Sequence, residues 1–127
     1  MNAAEIENDL RNYYGTEKWT IHWSKKILMT DGVLAMRELC NAFWLTDIIA
    51  SVQTKKLMQE CDGFQVWIFK RDGSKGVIEC YRDTGPGNKP KYQQEIEFTD
   101  FPLEEIMFYV AETGEGHPPT MMLTSEY

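Results

Sequence analysis

Three polar residues, His22, Asp47 and Ser51, are of the types that could carry acid–base chemistry in this chain. A histidine oriented by an aspartate is half of a general-base arrangement, and a serine beside it would be the nucleophile. Ser51 lies one helical turn after Asp47, but no spacing in the sequence specifies a nucleophile. The competing interpretation is a structural polar core, in which Asp47 accepts a hydrogen bond from a backbone N–H, a tryptophan indole or His22.

Metal and phosphate sites are not indicated by residue spacing. The residues with zinc-ligand side chains are Cys40, Cys61, Cys80, His22 and His117. None of them forms a C-x2-C or H-x3-H pair, and the three cysteines also predict no disulfide framework. Glu95 and Glu97 could hold a cation on one strand face, although a solvated face is the simpler interpretation. Residues 85–87 lie between two strands and do not open a helix, so they predict a loop. We expect no metal and no cofactor.

The helix that would carry Asp47 and Ser51 is the longest apolar-periodic run of the chain, residues 43–53. Its apolar stripe at helical spacing consists of Trp44, Leu45, Ile48, Ile49 and Val52. Such a wide stripe is typical of a helix packed into the core. We predict that this central helix is the element around which the other elements pack.

Two further helices are predicted before the central one. Residues 2–13 have apolar residues at helical spacing, with Asn2 as the N-cap. Either Thr30 or Asp31 can cap a second helix, and Asn41 is suited to the left-handed position that ends it.

Residues 17–28, which contain His22, have two possible structures. Trp19, Ile21 and Trp23 alternate with polar residues, and this pattern predicts a short strand. Trp19, Trp23 and Ile27 also fit helical spacing, so a helix remains open.

The second half of the chain predicts a three-stranded antiparallel meander. Its strands are expected at 64–71, 76–82 and 92–99, joined by a turn at 71–74 and a loop at 83–90. Pro102 then suits the first turn of a helix that ends near residue 112. Residues 117–127 predict an extended tail. The expected fold is a single compact α+β domain over 1–127, with the meander, which short strands could extend, packed on the central helix and two to three further helices.

Strand alternation divides the side chains of this sheet between two faces. We predict a core face made of Phe64, Val66, Ile68, Ile78, Cys80, Tyr92, Ile96 and Phe98. From the other face, we expect the partner-binding residues to be Trp67, Phe69, Tyr81, Glu79, Glu95 and Glu97. Exposed tryptophan and tyrosine side chains often mark a binding surface, and the carboxylates favour a protein partner over nucleic acid. Coverage of this face by the tail or the N-terminal segment is the alternative.

The composition limits the classes of function. The chain has 127 residues with a net charge of −7, which opposes sequence-independent nucleic-acid binding because that requires lysine and arginine. The same charge fits a protein partner with a basic surface. No apolar run reaches the length of a membrane span, and the acidic N-terminus does not resemble a signal peptide. We therefore expect a cytoplasmic protein with free thiols and no membrane partner.

Two segments resemble a small family of unknown function found in bacterial and in phage- or plasmid-borne proteins. They are Trp44-Leu45-x-Asp47-x-Ile49-Ala50-Ser51-x-Gln53 and Gln94-Glu95-Ile96-Glu97-Phe98-Thr99-Asp100-Phe101-Pro102-Leu103. Shorter pieces, from His22 to the closing Met122–Tyr127, fit the same pattern in the same order, so the resemblance covers about residues 19–127. It implies a single domain in a mobile-element setting, and it carries over no catalytic residue. That setting suggests a protein that binds and inhibits a host protein, such as a CRISPR-type effector that handles nucleic acid.

The expected function is therefore that of a non-enzymatic, acidic protein-binding module. An enzyme using His22, Asp47 and Ser51 is one alternative, and it requires the three side chains to meet in an open pocket. A structural or regulatory subunit that self-associates, for example as a homodimer, is the other.

Overall fold

The computed structural model of the chain describes residues 1–85 and 87–127, so the prediction of a loop at residue 86 lies outside the described residues. The helices are α1 Ala3–Leu10, α2 Asp31–Leu39, α3 Phe43–Ser51 and α4 Lys55–Glu60. The strands are β1 Thr20–Ile21, β2 Leu28–Met29, β3 Phe64–Asp72, β4 Lys75–Tyr81, β5 Tyr92–Ile96, β6 Glu105–Ala111 and β7 Thr120–Leu123, followed by a 3-10 turn at Thr124–Glu126. None of these helices is long and apolar enough to cross a membrane.

The strands of this described part form one sheet in the order β1-β2-β7-β6-β3-β4-β5. All neighbouring strands are antiparallel except β2 and β7, which pair in parallel. The α+β class is thus as predicted, and the antiparallel β3-β4-β5 meander is present. The sheet has seven strands, however, so the three-stranded sheet is only part of the architecture.

Helices α1, α2 and α4 begin where a short polar side chain accepts a hydrogen bond from a free backbone N–H, whereas α3 has no such side-chain cap. Asn2 and Glu5 form a capping box at the start of α1, in which the Asn2 side chain accepts from the Glu5 N–H at 2.9 Å. Thr30, rather than Asp31, caps α2 by accepting from the Val33 N–H. Asn41 has a φ of 49°, the left-handed conformation predicted at the end of this helix.

The predicted helix at 102–112 is wrong, because this segment forms strand β6. Ile106, Phe108 and Val110 lie on one face of β6, with Phe108 directly opposite Trp67 of β3. Ile106 and Val110 also satisfy helical spacing, which is why the pattern was ambiguous. The backbone of β3 provides a full set of hydrogen-bond partners along this segment, and this pairing selects the strand.

The remaining differences concern short elements. The 17–28 segment contains β1 and the first residue of β2, so the helical alternative is wrong. The 117–127 tail contributes β7, which inserts between β2 and β6. The central helix α3 ends at Ser51, and Thr54 caps the separate helix α4 by accepting from the Leu57 N–H at 3.1 Å. This short helix was not predicted.

The assignment of β3 to the two faces is also wrong by one residue. Trp67 and Phe69 are fully buried, and they lie opposite Cys80 and Ile78 of β4 on the face that packs against the helices. Val66 and the other alternate residues of β3 point to the opposite face. Because β3 carries apolar side chains on both faces, the sequence pattern alone does not select the face toward the helices.

The C-terminal turn is tied to the start of α2 by one carboxylate. Glu126 accepts hydrogen bonds from the Thr30 hydroxyl at 2.6 Å, the Gly32 N–H at 3.1 Å and the Leu123 N–H at 3.0 Å. A negative charge at the first turn also interacts favourably with the helix dipole. Glu126 therefore connects the last strand to the helix layer.

We expect Glu126→Ala to lower the free energy of unfolding by about 1–3 kcal/mol, because it leaves two donors at the start of α2 and the Leu123 N–H without their acceptor. Urea titration followed by circular dichroism measures the change. Ser125→Ala is the control, since Ser125 is exposed and its substitution should alter stability by less than about 0.5 kcal/mol. Equal effects of the two substitutions would contradict the role of the carboxylate.

Candidate functional site

The six residues predicted to bind a partner do not form one exposed surface. Trp67 and Phe69 lie in the core, whereas Glu95 and Glu97 are exposed near the far edge of the sheet. Tyr81 and Glu79 are half-buried on the face opposite the helices. Burial raises the pKa of the Tyr81 hydroxyl, and the neighbouring Glu79 carboxylate raises it further. Trp67 and Phe69 therefore lie on the helix side of the sheet, apart from Tyr81 and Glu79 on the opposite face.

The burial of Trp67 is made possible by a pair of glutamines. Its indole N–H donates to the Gln65 side-chain oxygen at 2.8 Å. The amides of Gln65 and Gln53 bond to each other in both directions, at 2.8 and 3.0 Å. The polar atoms of a fully buried glutamine would be costly without such partners. Gln53, which follows α3, thereby helps to fix the side of β3 that faces the helices.

His22 and Asp47 are brought together, and Ser51 is not. His22 Nε2 lies 2.7 Å from Asp47 Oδ1, and His22 Nδ1 lies 2.7 Å from the Ser24 hydroxyl. The Ser24 backbone N–H also donates to Nδ1 at 3.1 Å, which assigns the ring proton to Nε2 and makes Asp47 its acceptor. The Ser51 hydroxyl instead donates to the Ile48 carbonyl of its own helix at 2.7 Å.

The His22 cluster contains the residue types of a serine hydrolase relay, but its surroundings differ from those of an active site. The His22 ring is fully buried, with its side chain 0% exposed. The Ser24 hydroxyl also accepts from the Lys26 N–H at 3.2 Å, as in a tight turn. His22, Ser24 and Asp47 do not line the cavity beside Lys25 and Lys26, nor those beside β5 and α1. The hydrogen bonds of the His22 cluster therefore fix the position of the turn that contains Ser24.

What this cluster holds at the surface is Trp23. The indole N–H of Trp23 donates to the same Asp47 oxygen at 3.0 Å, and its ring lies 5.3 Å from the His22 ring between centroids. The side chain is nevertheless 77% exposed. A large aromatic group is thus held by a specific hydrogen bond in a position where it contacts mainly solvent.

Three more apolar side chains are exposed on the elements around Trp23. Trp19 is 58% exposed and Ile21 46%, both in or next to the edge strand β1. Phe43 is also 46% exposed, lies one turn before Asp47 on α3, and has the Arg37 guanidinium 4.5 Å from its ring centroid. We call Trp19, Ile21, Trp23 and Phe43 the aromatic edge. The alternation of Trp19, Ile21 and Trp23 with polar residues was visible in the sequence. Only the exposure of these side chains in the structure shows that they do not belong to a core strand.

A cavity of about 730 Å³ lies at the other side of the turn that carries Trp23. Its charged lining consists of Lys25, Lys26, Lys55, Glu112 and Glu115, together with the titratable His117. Met58, Pro118 and Pro119 supply apolar surface. We call it the lysine cavity.

The cysteines show no metal-site geometry, and the described residues contain no group of three or more potential metal ligands. Cys61 and Cys80 Sγ atoms are 3.9 Å apart, and all three thiols are free and buried. Burial raises the pKa of the Cys61 and Cys80 thiols, and raises that of Cys40 to about 11. These thiols are consequently poor nucleophiles at neutral pH.

Comparison with known proteins identifies one related family. The sequence model of a family of unknown function, DUF6876, matches residues 4–127. This confirms the resemblance to an uncharacterised family. No curated protein and no solved structure gives a significant match.

We expect Asp47→Ala to release Trp23 and to destabilise the fold by about 1–3 kcal/mol, because the buried His22 ring loses its acceptor. Hydrogen exchange of the Trp23 indole proton, observed by NMR, should accelerate, and urea titration gives the stability. Ser51→Ala is the matched control, since it removes a polar side chain from the same helix outside the cluster. If Ser51→Ala accelerated exchange of the indole proton as much as Asp47→Ala did, the position of Trp23 would not depend specifically on the Asp47 carboxylate.

The cysteines should resist modification in the folded protein. With its pKa raised to about 11, Cys40 is about one part in a thousand thiolate at pH 8. Reaction with an aromatic disulfide reagent should be slow at that pH, accelerate as pH rises toward the raised pKa, and be immediate for all three thiols in denaturant. Rapid labelling of the native protein at pH 8 would show that a thiol is accessible.

Proposed function

The chain belongs to DUF6876, a family of unknown function, and we propose that it is a non-enzymatic protein-binding module that docks on a partner through the aromatic edge. The observation that carries this proposal is Trp23, which is 77% exposed yet fixed by its bond to Asp47. Fixing an exposed side chain before association reduces the entropy lost when a partner binds. The buried His22 supports the same interpretation, because its hydrogen bonds are used to position this turn.

The size of the aromatic edge supports a protein partner. Side chains of this kind bury about 150–250 Å² each when fully covered. From their exposed fractions, the four residues offer on the order of 400 Å² of apolar surface. This is about half of the ~800 Å² that each partner contributes to a standard interface. Tryptophan is also the residue type most enriched among those that dominate binding energy.

The charge of the partner is a separate part of the proposal. A net charge of −7 favours rapid encounter with a protein that has a basic surface, and Glu79, Glu95 and Glu97 supply carboxylates for that long-range attraction. In its narrower form, the partner is a host protein that handles nucleic acid, and binding inhibits it. The resemblance to proteins of mobile elements motivates this narrower form.

We expect Trp23→Ala to weaken partner binding by about 2 kcal/mol, or about thirtyfold in Kd, while the fold is retained. The partner is first captured from host lysate with tagged protein and identified by mass spectrometry. Affinities of the purified pair are then measured by calorimetry, and light scattering reports whether a second copy of this chain is the partner.

Phe98→Ala is the matched control for this measurement. Phe98 is 74% exposed, but it follows β5, at the opposite end of a sheet about 29 Å wide. Its substitution should change the affinity by less than about twofold, as expected outside the interface. If Phe98→Ala weakened binding and Trp23→Ala did not, the aromatic edge would be the wrong surface.

A further inference from the structure

The turn that presents Trp23 also presents two lysines to the neighbouring cavity. Lys25 has a φ of 64°, a left-handed conformation that is uncommon for a residue other than glycine. The turn is held by hydrogen bonds from the Lys25 N–H to the His22 carbonyl at 2.8 Å and from the Lys26 N–H to the Ser24 hydroxyl at 3.2 Å. The His22 cluster therefore positions Trp23, Lys25 and Lys26 together.

From this arrangement we propose that the partner contributes an extended acidic segment, with an apolar side chain on Trp23 and carboxylates in the lysine cavity. This inference rests on the proposed function and specifies the chemistry of the partner at that site. Its occupant is a segment of the partner protein, because the cavity adjoins the aromatic edge through a single turn.

The local charge at the lysine cavity is opposite in sign to the charge of the whole chain. Three lysines and two glutamates line it, so the balance is positive even with His117 neutral, whereas the chain carries −7. Among the described residues, no carboxylate lies within ion-pair distance of Lys25, Lys26 or Lys55. These ammonium groups are available to an external carboxylate, which would be bound by charge-assisted hydrogen bonds.

The backbone of β1 indicates the path that the partner's acidic segment takes along the sheet. The His22 N–H bonds inward to the Ile27 carbonyl at 3.0 Å. Because backbone groups in an antiparallel strand alternate in direction, the N–H and C=O of Ile21 face the open edge of the sheet. An extended segment can add to this edge beside Trp19 and Ile21 and continue past the turn. At the turn it reaches Trp23 first and the lysine cavity next.

The shape of the cavity also suits such a segment. Its volume of about 730 Å³ lies within the ~300–1,000 Å³ range of ligand pockets, and it is open to solvent, so a chain segment can lie along it. Met58, Pro118 and Pro119 supply apolar contacts for the methylene groups of glutamate or aspartate, while the lysines bind their carboxylates.

The experiment uses two short peptides as probes, one alternating glutamate with leucine and one alternating lysine with leucine, each with a fluorophore. We expect the acidic peptide to bind the full chain at least about tenfold more tightly than the basic peptide, and to be released by salt. The double variant Lys25→Glu with Lys55→Glu, which we call the cavity variant, should have an affinity for the acidic peptide that is lower by about tenfold or more. Equal or tighter binding of the basic peptide would overturn the proposal.

A second double variant controls for net charge. Lys75→Glu with Lys89→Glu makes the same change in charge on exposed residues outside the cavity, and it should alter affinity by less than about twofold. Equal weakening by the two double variants would show a non-specific effect of charge and would overturn the proposal. Complete displacement of the acidic peptide by inorganic phosphate, at an ionic strength matched with chloride, would also overturn it, because the cavity would then be a site for a small anion.

Carbodiimide coupling in the complex with the captured partner separates this inference from the proposed function. The reagent joins carboxylates to amines in direct contact, so cross-links from one partner segment should map to Lys25, Lys26 or Lys55. If Trp23→Ala abolished capture, while the cavity variant captured the partner normally and the unsubstituted chain gave none of these cross-links, the docking function would stand and the acidic segment would be rejected. If capture survived both changes, the docking function would fail as well.

Discussion

The rest of the structure depends on which face of β3 packs against the helices. Trp67 and Phe69 take that position, with Phe108 of β6 beside Trp67. A shift of one residue would exchange the faces of this strand and remove Trp67 and Phe69 from the core between the sheet and the helices. The shift is opposed by packing and also by the amide pair of Gln65 and Gln53, which would lose its partners. Hydrophobic burial and a satisfied polar network therefore select the same register.

The sheet edge that carries the candidate site exists because the chain returns to the sheet at its C-terminal end. Strand β7 (Thr120–Leu123) lies between β2 and β6, and thereby joins the N-terminal strands to the meander. Glu126 then secures the same segment to the start of α2. The aromatic edge thus depends on contacts between residues about a hundred positions apart in sequence. A disturbance of the C-terminal segment would be transmitted to β1 through β2, because in the described part of the chain β2 pairs with β1 on one side and with β7 on the other.

Two hydrogen-bonded side-chain pairs involve α3 or the residues just after it, and they have different consequences. The glutamine pair lies inside and fixes a core strand, whereas the His22 and Asp47 pair lies at the rim and fixes a turn. Asp47 is itself 44% exposed at its side chain, so it can bind both the buried His22 ring and the exposed Trp23 indole. A histidine and an aspartate in contact are as well suited to hold a recognition residue as to transfer a proton.

Local sequence determined the features whose causes are local. Helix caps at Asn2 and Thr30 and the left-handed Asn41 were predictable because each is set by neighbouring backbone groups. The α+β class was also predictable from the apolar pattern, and the interaction of His22 with Asp47 was predictable from the residue types. Only tertiary structure decided the strand at 105–111, the face of β3 and the exposure of Trp23. Each of these three features depends on backbone and side chains that are distant in sequence and pack against the segment concerned. The apolar pattern within one segment does not contain that information.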